Sequence, residues 1–314
     1  MKRSFNLTRL ITALFLFSLL VFVSCQKENS SGGTDAEQQE ASMASSEGDG
    51  EAEVTFNSIF DDAIGANDDV GLAGTGVFYG RSNTGGSGDA ARGDSLTPVA
   101  RCFTLTITHP AGTPFPVRIM IDFGTGCTGP DGHVRKGKII TEYTSRLLIP
   151  GAVATTVFDG FYINEVKVEG THKITNISGP NTLPLSRKFK VEVIDGKLTK
   201  PNGNYVEWNS TKTITQIEGL VTPDLARDDV FKVEGSARGR VKRGTLLVGW
   251  ESTINEPLIK RFTCRWIVRG RIKTIRVNAT ANSPWIAILD FGAGTCDNQA
   301  TVTVNGVTRQ ITLP

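Results

Sequence analysis

The feature that most constrains this chain is an alternation of period two that recurs through residues 99–314. Phe231, Val233, Gly235, Ala237, Gly239 and Val241 alternate with Lys232, Glu234, Ser236, Arg238, Arg240 and Lys242. Successive side chains of a strand point to opposite faces, so this run has one apolar or small face and one charged face. The same pattern holds for Phe103, Leu105 and Ile107, for Val117, Ile119, Ile121 and Phe123, and for Phe189, Val191 and Val193. Sheets that are dry on one side and wet on the other are antiparallel. Asp195-Gly196 and Asn305-Gly306 sit between alternating segments and predict hairpins, while Pro130-Asp131-Gly132 and Pro201-Asn202-Gly203 predict turns. No segment beyond residue 98 sustains a helical period, which argues against a parallel α/β fold. The expectation is an all-β body over 99–314, one domain or two lobes. It is either an antiparallel β-sandwich or an elongated twisted β-meander.

The net charge of +2 conceals two opposite parts. Residues 26–98 carry 14 Asp and Glu against 3 Lys and Arg, whereas residues 99–314 carry 18 against 28. Ser, Gly, Glu and Ala dominate Ser30 to Glu53, and such a composition offers little apolar surface to offset the entropy of ordering. Residues 25–98 are therefore expected to be a disordered acidic tether. One island interrupts it: Phe56, Ile59, Phe60 and Ile64 fall at helical spacing and predict a short helix near 54–64.

The N-terminus reads as an address. Lys2, Arg3 and Arg9 precede the apolar run Leu10–Val23, the layout of a secretory signal over residues 1–24. Phe22-Val23-Ser24 before Cys25 resembles a lipobox, which implies cleavage before Cys25 and its lipidation; acyl chains then hold the protein on a bilayer. Gln26-Lys27-Glu28-Asn29 is similar to the export signal of surface lipoproteins. The expected location is the cell envelope, as an outer-membrane lipoprotein displayed outward.

Two half-repeats bracket the body. Pro116–Gly126 (PVRIMIDFGTG) aligns without gaps on Pro284–Gly294 (PWIAILDFGAG). Cys127 and Cys296 follow the two blocks, and Cys102 and Cys264 precede them. Four cysteines in an exported chain favour disulfides over metal, and the repeat selects Cys102–Cys127 with Cys264–Cys296 among three connectivities. The glycines suit a tight turn that Asp122 and Asp290 would cap. The run Ile121–Gly132 with Arg135–Ile139, together with Asn164–Thr171 and Cys296–Gly306, resembles a group of uncharacterised Bacteroidota envelope lipoproteins. That resemblance implies a shared β fold and an envelope address, and it supplies no activity.

No catalytic motif stands out. His109, His133 and His172 form no zinc-protease pattern, and neither a nucleophile elbow nor a phosphate-binding loop is present. The reading is therefore non-catalytic, with no cofactor and no metal. Arg238, Arg240 and Lys242 share a strand face that could hold an acidic glycan or envelope polymer; the plainer reading is a solvated face that discourages edge pairing. Trp208, Trp250, Trp266 and Trp285 could stack on sugars, but they more commonly fill a core. Asp94-Ser95-Leu96 resembles a short O-glycosylation site at Ser95. The expected function is binding of a glycan or envelope polymer, not of nucleic acid. The alternative is a structural or assembly component that touches another envelope protein by strand addition.

Overall fold

The computed structural model describes residues 34–65, 70, 102–129, 132–179, 186–221, 228–277 and 283–314. The signal segment, Cys25, Ser95, the Gly71–Gly93 stretch and Pro130-Asp131 lie outside the described residues. Among the described residues one helix, α1 (Asp35–Gly65), precedes fourteen strands. The first seven are β1 (Thr104–Thr108), β2 (Val117–Asp122), β3 (Cys127–Thr128), β4 (Val134–Tyr143), β5 (Val153–Ile163), β6 (Val166–Asn176) and β7 (Lys188–Thr199). The others are β8 (Tyr205–Glu218), β9 (Val230–Arg243), β10 (Leu246–Arg261), β11 (Ile267–Arg276), β12 (Ala287–Ala293), β13 (Gln299–Val304) and β14 (Val307–Thr312).

The fold is all-β, and of the two architectures expected it is the meander. A single antiparallel sheet runs β1-β2-β4 and then in chain order to β14, with β3 paired to β4. The alternation sets its faces: along β8, Val206, Trp208, Ser210, Lys212, Ile214 and Gln216 are buried, and the residues between them are half-buried or exposed.

The buried face closes on a helix that the composition had concealed. Residues 35–65, expected to be tether with a short helix near 54–64, form one continuous helix instead. From Gln39 onward it belongs to the same compact unit as the sheet. No side chain from Ala41 to Ile64 is exposed; Glu47, Glu51, Thr55 and Ser58 form a half-buried stripe, and the remainder are buried. Its partners extend from Tyr143 of β4, whose hydroxyl donates to Ala63 O at 2.6 Å, to Arg309 of β14, which pairs with Glu40. The sheet thus curls around the helix. Small residues fill the N-terminal half of α1 because the walls are close: a Cβ at Gly50 would lie 2.7 Å from Leu289 Cδ2. The wider C-terminal half takes Phe56, stacked on Trp208 at 5.5 Å, and Phe60, edge-on to Phe189 at 6.0 Å.

Two glycine-containing turn signals resolve differently. Asn305 and Gly306 both have positive φ and make the two-residue β13–β14 hairpin, as expected. Asp195-Gly196 is not a hairpin. It lies inside β7 as a bulge, where the register against β8 slips between Val193 and Gly196. The bulge creases the sheet over the helix, and Phe56 Cζ comes within 3.0 Å of where a Cβ at Gly196 would stand. Pro201-Asn202-Gly203 forms the β7–β8 turn, with Asn204 N–H donating to Asn202 Oδ1.

The half-repeats sit near opposite ends of the sheet, on β2 and β12, and each carries its disulfide: Cys102–Cys127 and Cys264–Cys296. Asp122 Oδ1 accepts the Gly124 N–H at 2.8 Å and Asp290 Oδ1 the Gly292 N–H at 2.9 Å, so both aspartates cap their turns.

Candidate functional site

The helix explains where the acidic charge goes. Its nine acids and absence of Lys or Arg face a sheet that is rich in cations. Glu47 meets Arg243, and Glu51 meets Lys200 at 2.9 Å, both from the half-buried stripe. Deeper in, Lys212 Nζ lies 2.8 Å from Glu53, and Lys260 Nζ binds Asp61 and the Asn57 carbonyl. All four of these charged side chains are buried. Asp49 accepts the Trp208 indole N–H at 2.7 Å, and burial raises its carboxyl above the usual range against the pull of Lys212. Burial likewise raises Asp61 against Lys260. His172, on β6, is fully enclosed, neither ring nitrogen has a hydrogen-bond partner among the described residues, and burial pushes it down to about 3. These groups are all buried on the inner side of the sheet.

The outer face is the accessible one. Arg238, Arg240 and Lys242 all project from it, as expected, but they do not make a positive stripe. Arg240 Nε donates to Glu207 at 2.9 Å, and Lys197 reaches the same carboxylate at 3.4 Å. Burial opposes ionisation of Glu207, yet the hydrogen bonds from Arg240 and Lys197 hold its carboxyl below the usual range. Lys242 stands 6.0 Å from the Tyr205 ring centroid. Arg238 is registered between Asn209 on β8 and Glu251 on β10. Farther along, Arg271 pairs with Asp290 at 2.7 Å, and Arg269 reaches Glu256 at 3.4 Å. Neighbouring strands thus supply an acid for most of these cations, so the face alternates in sign.

Where the outer side chains are short, the face opens into a shallow groove of about 530 Å³ across β7–β10. Thr211, Ser236 and Thr253 form its floor along one register line. Asn209, Arg238 and Glu251 line one side; Glu192 and Ile194 line the β7 end. The crease has a local cause in Gly235 (φ +142°): a Cβ there would lie 2.3 Å from Thr211 O, so only glycine lets β9 fold this closely onto β8. Of the binding residues that the sequence put forward, only Arg238 reaches the groove. Its other members carry no motif, because they meet through strand register rather than spacing.

The tryptophans mostly serve the core. Trp208 and Trp250 are buried, and Trp266 and Trp285 pack partly buried against the same cluster. Among the described residues no group of three or more His, Cys, Asp or Glu is placed to hold a metal ion, and no helix is long and apolar enough to cross a membrane. No family model matches the chain, and neither curated proteins nor solved structures give a match.

Proposed function

We propose that this chain is a membrane-anchored envelope lipoprotein, lipidated at Cys25, that binds a hydroxyl-rich glycan or envelope polymer without turning it over. The lipobox-like run before Cys25 supports the anchor. The observation that carries the binding reading is the groove over β7–β10, which falls within the usual size range of small-ligand sites. Its lining of threonine and serine hydroxyls, one amide, two carboxylates and one guanidinium offers both donors and acceptors, the complement of a sugar's hydroxyl array. Recognition runs through hydrogen bonds rather than stacking, because Trp208 and Trp250 are committed to the core. It also depends only weakly on salt, because most outward cations already have an acid beside them.

The test is binding of the mature chain, disulfides intact, to an array of acidic and neutral glycans at low and high salt. Binding that persists at high salt and is lost in Arg238→Ala and Glu251→Gln supports the groove. Binding indifferent to both substitutions contradicts it, as does an array with no ligand.

A further inference from the structure

Twelve antiparallel pairings lie between β1 and β14, so the two terminal strands run in the same direction. Two copies that keep their buried faces on one side can then pair antiparallel only by joining like edges, β1 to β1 or β14 to β14, across a two-fold axis normal to the sheet. We infer that β1 is such an edge, and that its partner is β1 of a second copy of this chain.

The strand Thr104-Leu105-Thr106-Ile107-Thr108 has the same pattern in both directions. Antiparallel self-pairing centred on Thr106 sets Thr104 against the partner's Thr108 and Leu105 against the partner's Ile107. Threonine thus meets threonine on the outer face and aliphatic meets aliphatic on the inner face, both favourable cross-strand pairs. Ile107 shows why the inner face benefits. Its register partner Ile119 is 1% exposed and points into the core, yet Ile107 beside it is 42% exposed. A second copy's Leu105 would cover it. Among the described residues no strand pairs with β1 on its outer side, and β1 contains none of the charge, proline or bulge with which proteins blunt an edge. The other edge differs: β14 carries Arg309, so self-pairing centred on that residue would oppose like charges. Five paired residues make a small interface, so association is weak in dilute solution and grows where chains are concentrated on one surface. This inference rests on the edge and is independent of the groove.

The experiment is sedimentation of the mature chain from micromolar to millimolar concentration, with Thr106→Lys, Thr106→Glu and Thr308→Lys alongside. Thr106 is exposed on the outer face, so its variants should melt as the parent does. A concentration-dependent dimer is expected. Each Thr106 substitution should weaken it about tenfold or more by opposing like charges at the axis. Mixing the two Thr106 variants should restore association, and Thr308→Lys on β14 should leave it unchanged. A chain that stays monomeric throughout overturns the inference. So does a dimer that tolerates Thr106→Lys, or one that is lost with Thr308→Lys.

Discussion

Lys212 and Glu53 are the residues on which the interior turns, because a buried charge is tolerated only beside its partner. Removing one member of such a pair leaves the other desolvated and uncompensated, at a cost of about 3–5 kcal/mol, whereas replacing both by apolar groups is often neutral or stabilising. Lys212→Met should therefore lower the urea midpoint steeply, and Lys212→Met with Glu53→Leu should recover most of the loss. Equal loss in the single and double variants would mean that the pair does not form. His172 makes a second prediction, in pH. Its folded value of about 3 lies below the ordinary 6.5, so the unfolded chain takes up its proton first as acid is added. Stability from this residue is complete above about pH 6.5 and drains away towards pH 3. Asp49 and Asp61 act in the opposite sense: their raised values mean that the folded chain binds their protons more tightly, which offsets part of the acid loss. Urea midpoints taken across this range should fall less in His172→Leu than in the parent. A parallel fall in both would remove His172 from the acid limb.

At the level of elements, strands were legible and only the last third of the helix was, and the cause is physical. A half-wet strand shows its faces as an alternation, and residues 99–314 carry that signal in almost every strand. A helix sealed on nearly all sides keeps only the narrow polar stripe of Glu47, Glu51, Thr55 and Ser58, and its apolar residues recur at helical spacing only from Phe56 to Ile64. Its acids read as solvent-loving until the sheet supplies Lys212 to Glu53, Lys260 to Asp61 and Trp208 to Asp49. Its start is held by a reciprocal capping box of Thr34 and Glu37, with Thr34 N–H to Glu37 Oε2 at 2.7 Å and Glu37 N–H to Thr34 Oγ1 at 3.4 Å, a signal that the reading by composition passed over. The half-repeat yielded the disulfides because each copy carries both of its cysteines. Asp195-Gly196 misled because a bulge and a hairpin use the same backbone freedom. The bulge can be tested directly, since a Cβ at Gly196 would lie 2.8 Å from Trp208 O and 2.7 Å from Val193 Cγ1. Gly196→Ala should cost roughly 1–3 kcal/mol through overpacking, read as a lower melting temperature. An unchanged melt would argue that β7 is not creased over Phe56.

On the scale of the whole molecule, the opposed charges of the two halves are an internal complement. The acidic segment is the central element of the sheet's core, and many of the cations that gave the body its positive balance face it or an outer-face acid. Among the described residues, what stays accessible includes a mixed-sign outer face with a shallow groove, and two strand edges. The groove was illegible in the sequence because Thr211, Ser236 and Thr253 meet only through register, and the charge balance around Arg238 and Arg240 was illegible because their acidic neighbours lie on other strands. The most direct test of this arrangement is amide hydrogen exchange on the intact chain, following residues 41–64 beside β7–β10. A buried helix requires these amides to exchange only on the slow opening that frees the central strands, so protection in the two regions should match. Exchange of residues 41–64 at the rate of an unstructured peptide, with β7–β10 still protected, would return the segment to a tether and contradict the account.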